Sequence, residues 1–144
     1  MFFLRDLPDA DMIAGVTADL PEVSAPRVLH VLEHLRAASV LMRRIDAFLR
    51  QHGLSQTQFL AMMMIVREPE RDSLSAAEIA VRLDVSKPVL SKALASLSDK
   101  GMIAPAQTQP ADQRQTQLAL TERGQDAFAK LLPDYFALLQ GANM

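Results

Sequence analysis

From position 28 onward apolar residues recur every three or four places: Val28, Leu32, Leu35, Met42, Ile45 and Leu49, with Val31, Leu41 and Phe48 widening the stripe. That period predicts one long helix from about residue 26 to residue 52, closed by Gly53 as a left-handed C-terminal cap. Its apolar surface is wider than one neighbouring helix needs, so the surplus is expected to pack against a second subunit. Upstream, Pro8, Gly15, Pro21 and Pro26 punctuate scattered apolar residues and predict an extended or partly helical arm.

Polar signals mark where the following elements begin. Ser55-Gln56-Thr57-Gln58 has the form of a capping box and opens a helix carrying Phe59, Met62, Met63, Ile65 and Val66, which stops before Pro69. Ser75-Ala76-Ala77-Glu78 is a second box, opening a short helix whose Ala76, Ile79, Ala80 and Leu83 are expected to face inward. Leu74, just before it, reads as a one- or two-residue strand. After a tight turn at Asp84-Val85, Ser86 caps the next helix, Pro88 sits harmlessly in its first turn, and the helix runs to Lys100 and ends at Gly101.

The helical period then disappears. Pro105 and Pro110 forbid a helix, and Thr116, Leu118 and Leu120 alternate with Gln115, Gln117 and Ala119, predicting a β-hairpin with a polar tip over residues 107–114. Thr121 caps a last helix with Phe128, Leu131, Leu132, Tyr135, Phe136 and Leu139 on its apolar side, and Pro133 is expected to kink or split it.

Two short helices joined by a tight turn, the second followed by a hairpin, make a winged helix-turn-helix unit at residues 74–121. The major groove of B-DNA is about 12 Å wide and admits one helix. In the second helix Leu90, Ala93, Leu94 and Leu97 share one face and leave Lys87, Pro88, Ser91, Lys92 and Ala95 outward. Lys87 and Lys92 can donate to phosphates or guanine edges, Ser91 can donate or accept, and Pro88 with Val89 offers apolar contact to a thymine methyl. With Ser86 at the cap, these are the candidate DNA contacts, although two lysines also suit an ordinary solvated face.

Composition narrows the classes. The 144 residues suit one domain, or one domain plus dimerisation extensions, and 49% hydrophobic with 22% charged residues is a globular balance. No cysteine is present, which excludes disulfides, thiolate zinc sites and thiol switches and fits a reducing cytoplasm. Arg5, Asp6, Asp9 and Asp11 interrupt the apolar start too early for a signal peptide or membrane span. A net charge of −2 argues against a broadly basic coat, and one Tyr without Trp gives little stacking surface for single strands, so duplex DNA is the better nucleic-acid candidate.

Competing chemistry is thin. His30-Val31-Leu32-Glu33-His34 fits the His-x-x-Glu-His zinc-protease pattern, but a catalytic zinc needs a third ligand and a cleft, and no metal is assigned. Partly exposed polar residues are the plainer reading. Met62-Met63-Met64, with Leu41, Met42 and Phe59 nearby, could line an adaptable apolar pocket, though methionines at this spacing are more often core. No Ser-His-Asp set or Gly-rich phosphate loop appears, so neither an enzyme nor a cofactor is expected.

The run Leu83-Asp84-Val85-Ser86-Lys87-Pro88-Val89-Leu90-Ser91-Lys92, then Leu97-Ser98-Asp99-Lys100-Gly101-Met102-Ile103, resembles the recognition helix and exit of the multiple antibiotic resistance regulator (MarR) family. Asp112-Gln113-Arg114 and Leu118-Ala119-Leu120-Thr121-Glu122-Arg123-Gly124 resemble its wing and the start of its next helix. The resemblance implies that Arg114 reaches the minor groove or the DNA backbone, that Asp112 orients the wing, and that a small aromatic effector binds near Leu41, Met42, Phe59, Met62 and Met63. The chain departs from the family at Pro105, Gln113, Ala95 and Ser96, where basic or charged residues are common. Between residues 86 and 123, five cations (Lys87, Lys92, Lys100, Arg114, Arg123) stand against three carboxylates (Asp99, Asp112, Glu122), leaving only +2, so DNA binding is expected either to be comparatively weak or to require Arg67, Arg71 or Arg82 as auxiliaries.

The expectation is therefore a mostly α, α+β cytoplasmic homodimer. Residues 1–53 form an arm and long dimerisation helix, 54–124 the winged helix-turn-helix, and 125–144 a C-terminal dimerisation helix. Its expected role is that of a ligand-responsive repressor binding a pseudo-palindromic duplex operator. The alternative is a winged-helix protein-interaction module with weak or lost DNA binding.

Overall fold

A computed structural model of the protein describes residues 2–109 and 114–143. Among the described residues, six helices and three short strands follow one another: α1 (Ala10–Val16), α2 (Ala25–Gln51), α3 (Gln56–Val66), β1 (Ser73–Ser75), α4 (Ala76–Arg82), α5 (Lys87–Asp99), β2 (Ile103–Pro105), β3 (Gln117–Leu120) and α6 (Glu122–Gln140). The chain divides into two compact units, residues 1–45 with 138–144, and residues 46–137, the division falling inside α2 and α6.

In the first unit the arm contains a real helix. Asp9 caps α1 by accepting from the Met12 N–H at 2.8 Å, and Ile13 is buried. Ser39 of α2 donates to the Phe2 carbonyl at 2.9 Å, which fixes the start of the arm along that helix. A broad set of apolar side chains in this unit stays exposed, including Phe3, Met12, Val16, Leu20, Val31, Leu35 and Val40.

The second unit is built around α3. Both expected capping boxes form: Ser55 with Gln58 opens α3, and Ser75 with Glu78 opens α4. Phe59 and Met62 of α3 have no exposed surface, and Phe59 lies nearly parallel to Phe128, with ring centres 5.5 Å apart, and 4.4 Å from the Tyr135 ring. The burial that encloses Tyr135 raises its phenol pKa. The sheet is antiparallel in the order β1-β3-β2, with Leu74 opposite Leu118 and Ile103 opposite Leu120.

Two expectations change. Ala76, expected to face inward, is exposed while Ile79 alone of α4 is fully buried, because the N-terminal turn of so short a helix points past the core. Pro133 does not split the last helix, which is continuous across it. Proline removes one N–H from the ladder, and Pro133 is itself exposed, so flanking bonds carry the helix through.

Candidate nucleic-acid interface

The geometry of α5 follows from its caps and its period. Ser86 accepts from the Val89 N–H at 3.4 Å as N-cap, so its hydroxyl is occupied in starting the helix, and Pro88 lies in the first turn. Leu90, Ala93, Leu94 and Leu97 are all buried. Lys87, Pro88, Val89, Ser91, Lys92 and Ala95 are all exposed. One helix thus presents two lysines, a hydroxyl and a small apolar step to solvent while its other face is locked into the core.

Arg114, at the near end of the wing, is exposed; Asp112 lies outside the described residues. Lys100 corrects the charge count of the sequence. It donates to the Gly53 carbonyl and, at 3.3 Å, to Gln58 Oε1, so it ties the end of α5 to the corner between α2 and α3. Two expected auxiliaries are also engaged: Arg71 pairs with Glu78, and Arg82 pairs with Glu68 at 2.9 Å. No ion pair among the described residues involves Lys87 or Lys92.

Glu78 has a larger role than its cap. Its carboxylate accepts from the Ser75 N–H at 3.1 Å, from the Arg71 guanidinium, and from Gln117 Nε2 of β3 at 3.4 Å. Hydrogen bonding from Arg71, then from the Ser75 backbone, lowers its pKa to about 2 from the ordinary 4.5. The folded pKa is the lower one, so this stabilisation is complete above about pH 4.5 and is lost as pH falls through about 2. Glu78→Gln should therefore flatten the loss of stability across that window, measured as unfolding midpoint against pH. Parallel curves for the two proteins would refute the assignment.

The remaining candidates are distributed differently. Phe59 and Met62 are fully buried and Met63 is half-buried in the second unit, while Leu41 and Met42 are half-buried on α2 in the first. His30 and His34 are exposed, their ring centres 4.3 Å apart, and His34 Nδ1 donates to the His30 carbonyl at 2.9 Å. They line a cavity of about 220 Å³ with Glu33, Ala37 and Asn143. Among the described residues no three His, Asp or Glu side chains are placed to hold a metal ion. The His52 ring packs on Phe48, with ring centres 4.9 Å apart. No helix among the described residues is long and apolar enough to cross a membrane.

Residues 52–115 match the model of the MarR family. Among solved structures, AbsC, a MarR family transcriptional regulator from Streptomyces coelicolor, is 20% identical with a TM-score of 0.67, covering 95% of this chain and 80% of that one. Sco3205, a MarR family transcriptional regulator from the same organism solved in complex with DNA, is 22% identical with a TM-score of 0.72, covering 83% of this chain and 74% of that one. The Mycobacterium tuberculosis MarR family protein Rv2887, solved with p-aminosalicylic acid, is 25% identical with a TM-score of 0.58, covering 74% of this chain and 77% of that one. No curated protein matches significantly.

Proposed function

We propose that the protein is a homodimeric transcriptional regulator of the MarR kind that reads duplex DNA sequence-specifically, a reading supported by the match of residues 52–115 to the MarR family model. The observation that carries this reading is α5, whose apolar face is wholly buried while Lys87, Pro88, Val89, Ser91 and Lys92 stand exposed beside the wing. In the proposed complex α5 enters the major groove, and Arg114 reaches the backbone or the minor groove. That Sco3205, a protein of similar fold, was solved in complex with DNA supports DNA as the partner.

The homodimer is supported by the exposed apolar residues of the first unit, among them Phe3, Val16 and Leu35, which one chain leaves in water. A two-fold dimer places two copies of α5 on a pseudo-palindrome, about one helical turn apart. Regulation by a small aromatic acid is supported by the Rv2887 complex. Since Phe59 and Met62 have no free surface, such a ligand must displace packing in order to reach them, and so shift the spacing of the two reading helices.

Selection of bound sequences from randomised duplex DNA, followed by a salt titration of the winner, tests the reading. A symmetric site with a negative slope of log K against log salt is expected; no enrichment at low salt would sink it and leave a protein-interaction module, the reading favoured by the engagement of Lys100, Arg71 and Arg82. On the selected site Arg114→Ala should weaken binding about threefold to tenfold and reduce the salt slope by roughly one per protomer. Unchanged affinity and slope would remove Arg114 from the interface.

A further inference from the structure

The stem of the wing leaves the regular antiparallel pattern at one place. β2 and β3 pair from Ile103 opposite Leu120 to Pro105 opposite Leu118, and the Ala106 N–H continues the ladder by donating to the Gln117 carbonyl at 2.8 Å. In a regular hydrogen-bonded pair the Gln117 N–H would return to the Ala106 carbonyl. It donates instead to Gln109 Oε1 at 2.9 Å, and Gln109 Nε2 donates to the Ala106 carbonyl at 2.7 Å and to the Gln117 carbonyl at 3.1 Å. One side-chain carboxamide has been inserted into the ladder, accepting from the Gln117 leg and donating to both legs.

Gln117 is held from its other side as well. Its carboxamide accepts from Ser73 Oγ of β1 at 3.3 Å and donates to Glu78 of α4 at 3.4 Å. The residue that Gln109 wedges is therefore one through which the wing is tied to the helix-turn-helix. Arg114 lies three residues from Gln117, within about 10 Å of chain, so the position of the Gln117 backbone sets the point from which that arginine departs.

We propose that Gln109 is a positioning residue for DNA binding: its carboxamide, wedged between Ala106 and Gln117, holds the two legs of the wing at a fixed spacing and so aims Arg114. This rests on the duplex-DNA reading above. The role needs a donor and an acceptor on one planar group; a carboxylate offers acceptors only, whereas a protonated carboxyl offers both again.

Wild type, Gln109→Ala and Gln109→Glu are compared on the selected duplex and by amide hydrogen exchange at Gln117 in the DNA-free protein, at about pH 7 and about pH 4, either side of the ordinary glutamate range. At the higher pH Gln109→Ala, which removes the acceptor of the Gln117 N–H, should speed Gln117 exchange, and both variants should lose about tenfold in DNA affinity, with the protection of α3 unchanged. At the lower pH, affinity relative to wild type should recover for Gln109→Glu and not for Gln109→Ala. A side chain that merely fills space would be replaced by the nearly isosteric glutamate without loss at either value, while Gln109→Ala lost affinity at both. Unchanged Gln117 exchange in Gln109→Ala, unchanged DNA affinity of Gln109→Ala in a wild type that binds, no loss of affinity in Gln109→Glu at the higher pH, or no acid recovery of Gln109→Glu overturns the proposal. A wild type that selects no duplex overturns the regulator reading itself, and the DNA role of Gln109 with it.

Discussion

Replacing both exposed lysines of α5, Lys87→Glu with Lys92→Glu, should abolish specific DNA binding while leaving the protein at least as stable as wild type. The two effects separate because the residues sit where they do. Lys87 is the first residue of α5, and a lysine there opposes the helix dipole. A carboxylate at that end is favourable by about 0.3–1 kcal/mol. Lys92 is exposed in mid-helix and makes no ion pair among the described residues, so its exchange for glutamate costs the fold little.

For DNA the sign is opposite. Each phosphate that is no longer neutralised lowers the salt slope by about 0.9, and each lysine is removed twice in a dimer, while the new carboxylates add repulsion. Affinity for the selected site should fall by more than about a hundredfold at moderate salt. Melting temperature and duplex affinity measured on the same preparation check both halves. Retained affinity with an unaltered slope would show that α5 does not face DNA, and a collapse of the fold would show that its outer face had been misassigned.

That face could be read from the chain because its causes are local. Ser86, the proline in the first turn and the spacing of Leu90, Ala93, Leu94 and Leu97 together fix both the start and the rotation of α5. The two capping boxes were legible for the same reason, each being closed by residues three apart.

What escaped the sequence involves partners far along the chain. Nothing near Lys100 shows that its ammonium will reach Gly53, and nothing near Glu78 shows that Gln117 will meet it. The Gln109 wedge is hidden in a different way. Alternating polarity predicts a hairpin but cannot show that a side chain has replaced a backbone partner within it. Pro105 is a partial signal, since it marks the last ladder residue before the pattern breaks.

Gly124 shows how a residue can be visible in a motif while its reason is not. It lies in the first turn of α6, where alanine would ordinarily improve a helix by about 1 kcal/mol. Here the added methyl would collide with the Met102 carbonyl oxygen and come within 2.9 Å of the carbonyl carbon. That carbonyl has little freedom to retreat. It accepts from the Thr121 N–H at 3.0 Å, the Met102 N–H is bonded to the Leu97 carbonyl at 3.0 Å, and Thr121 Oγ1 spans from the Gly101 carbonyl at 2.5 Å to the Gly124 N–H at 3.0 Å. These bonds join the exit of α5 to the entry of α6 and hold the root of β2. Gly124→Ala should therefore destabilise the protein by about 3 kcal/mol or more, against the direction of helix propensity. Gly15→Ala is the matched control: it too lies in a helix, nothing stands within 4 Å of its added methyl, and it should be neutral or slightly stabilising. Denaturant unfolding of the two variants checks the pair. Equal stabilities would show that Met102 gives way easily, and that the close approach of α6 to the end of α5 does not hold the wing in register with the helix proposed to read DNA.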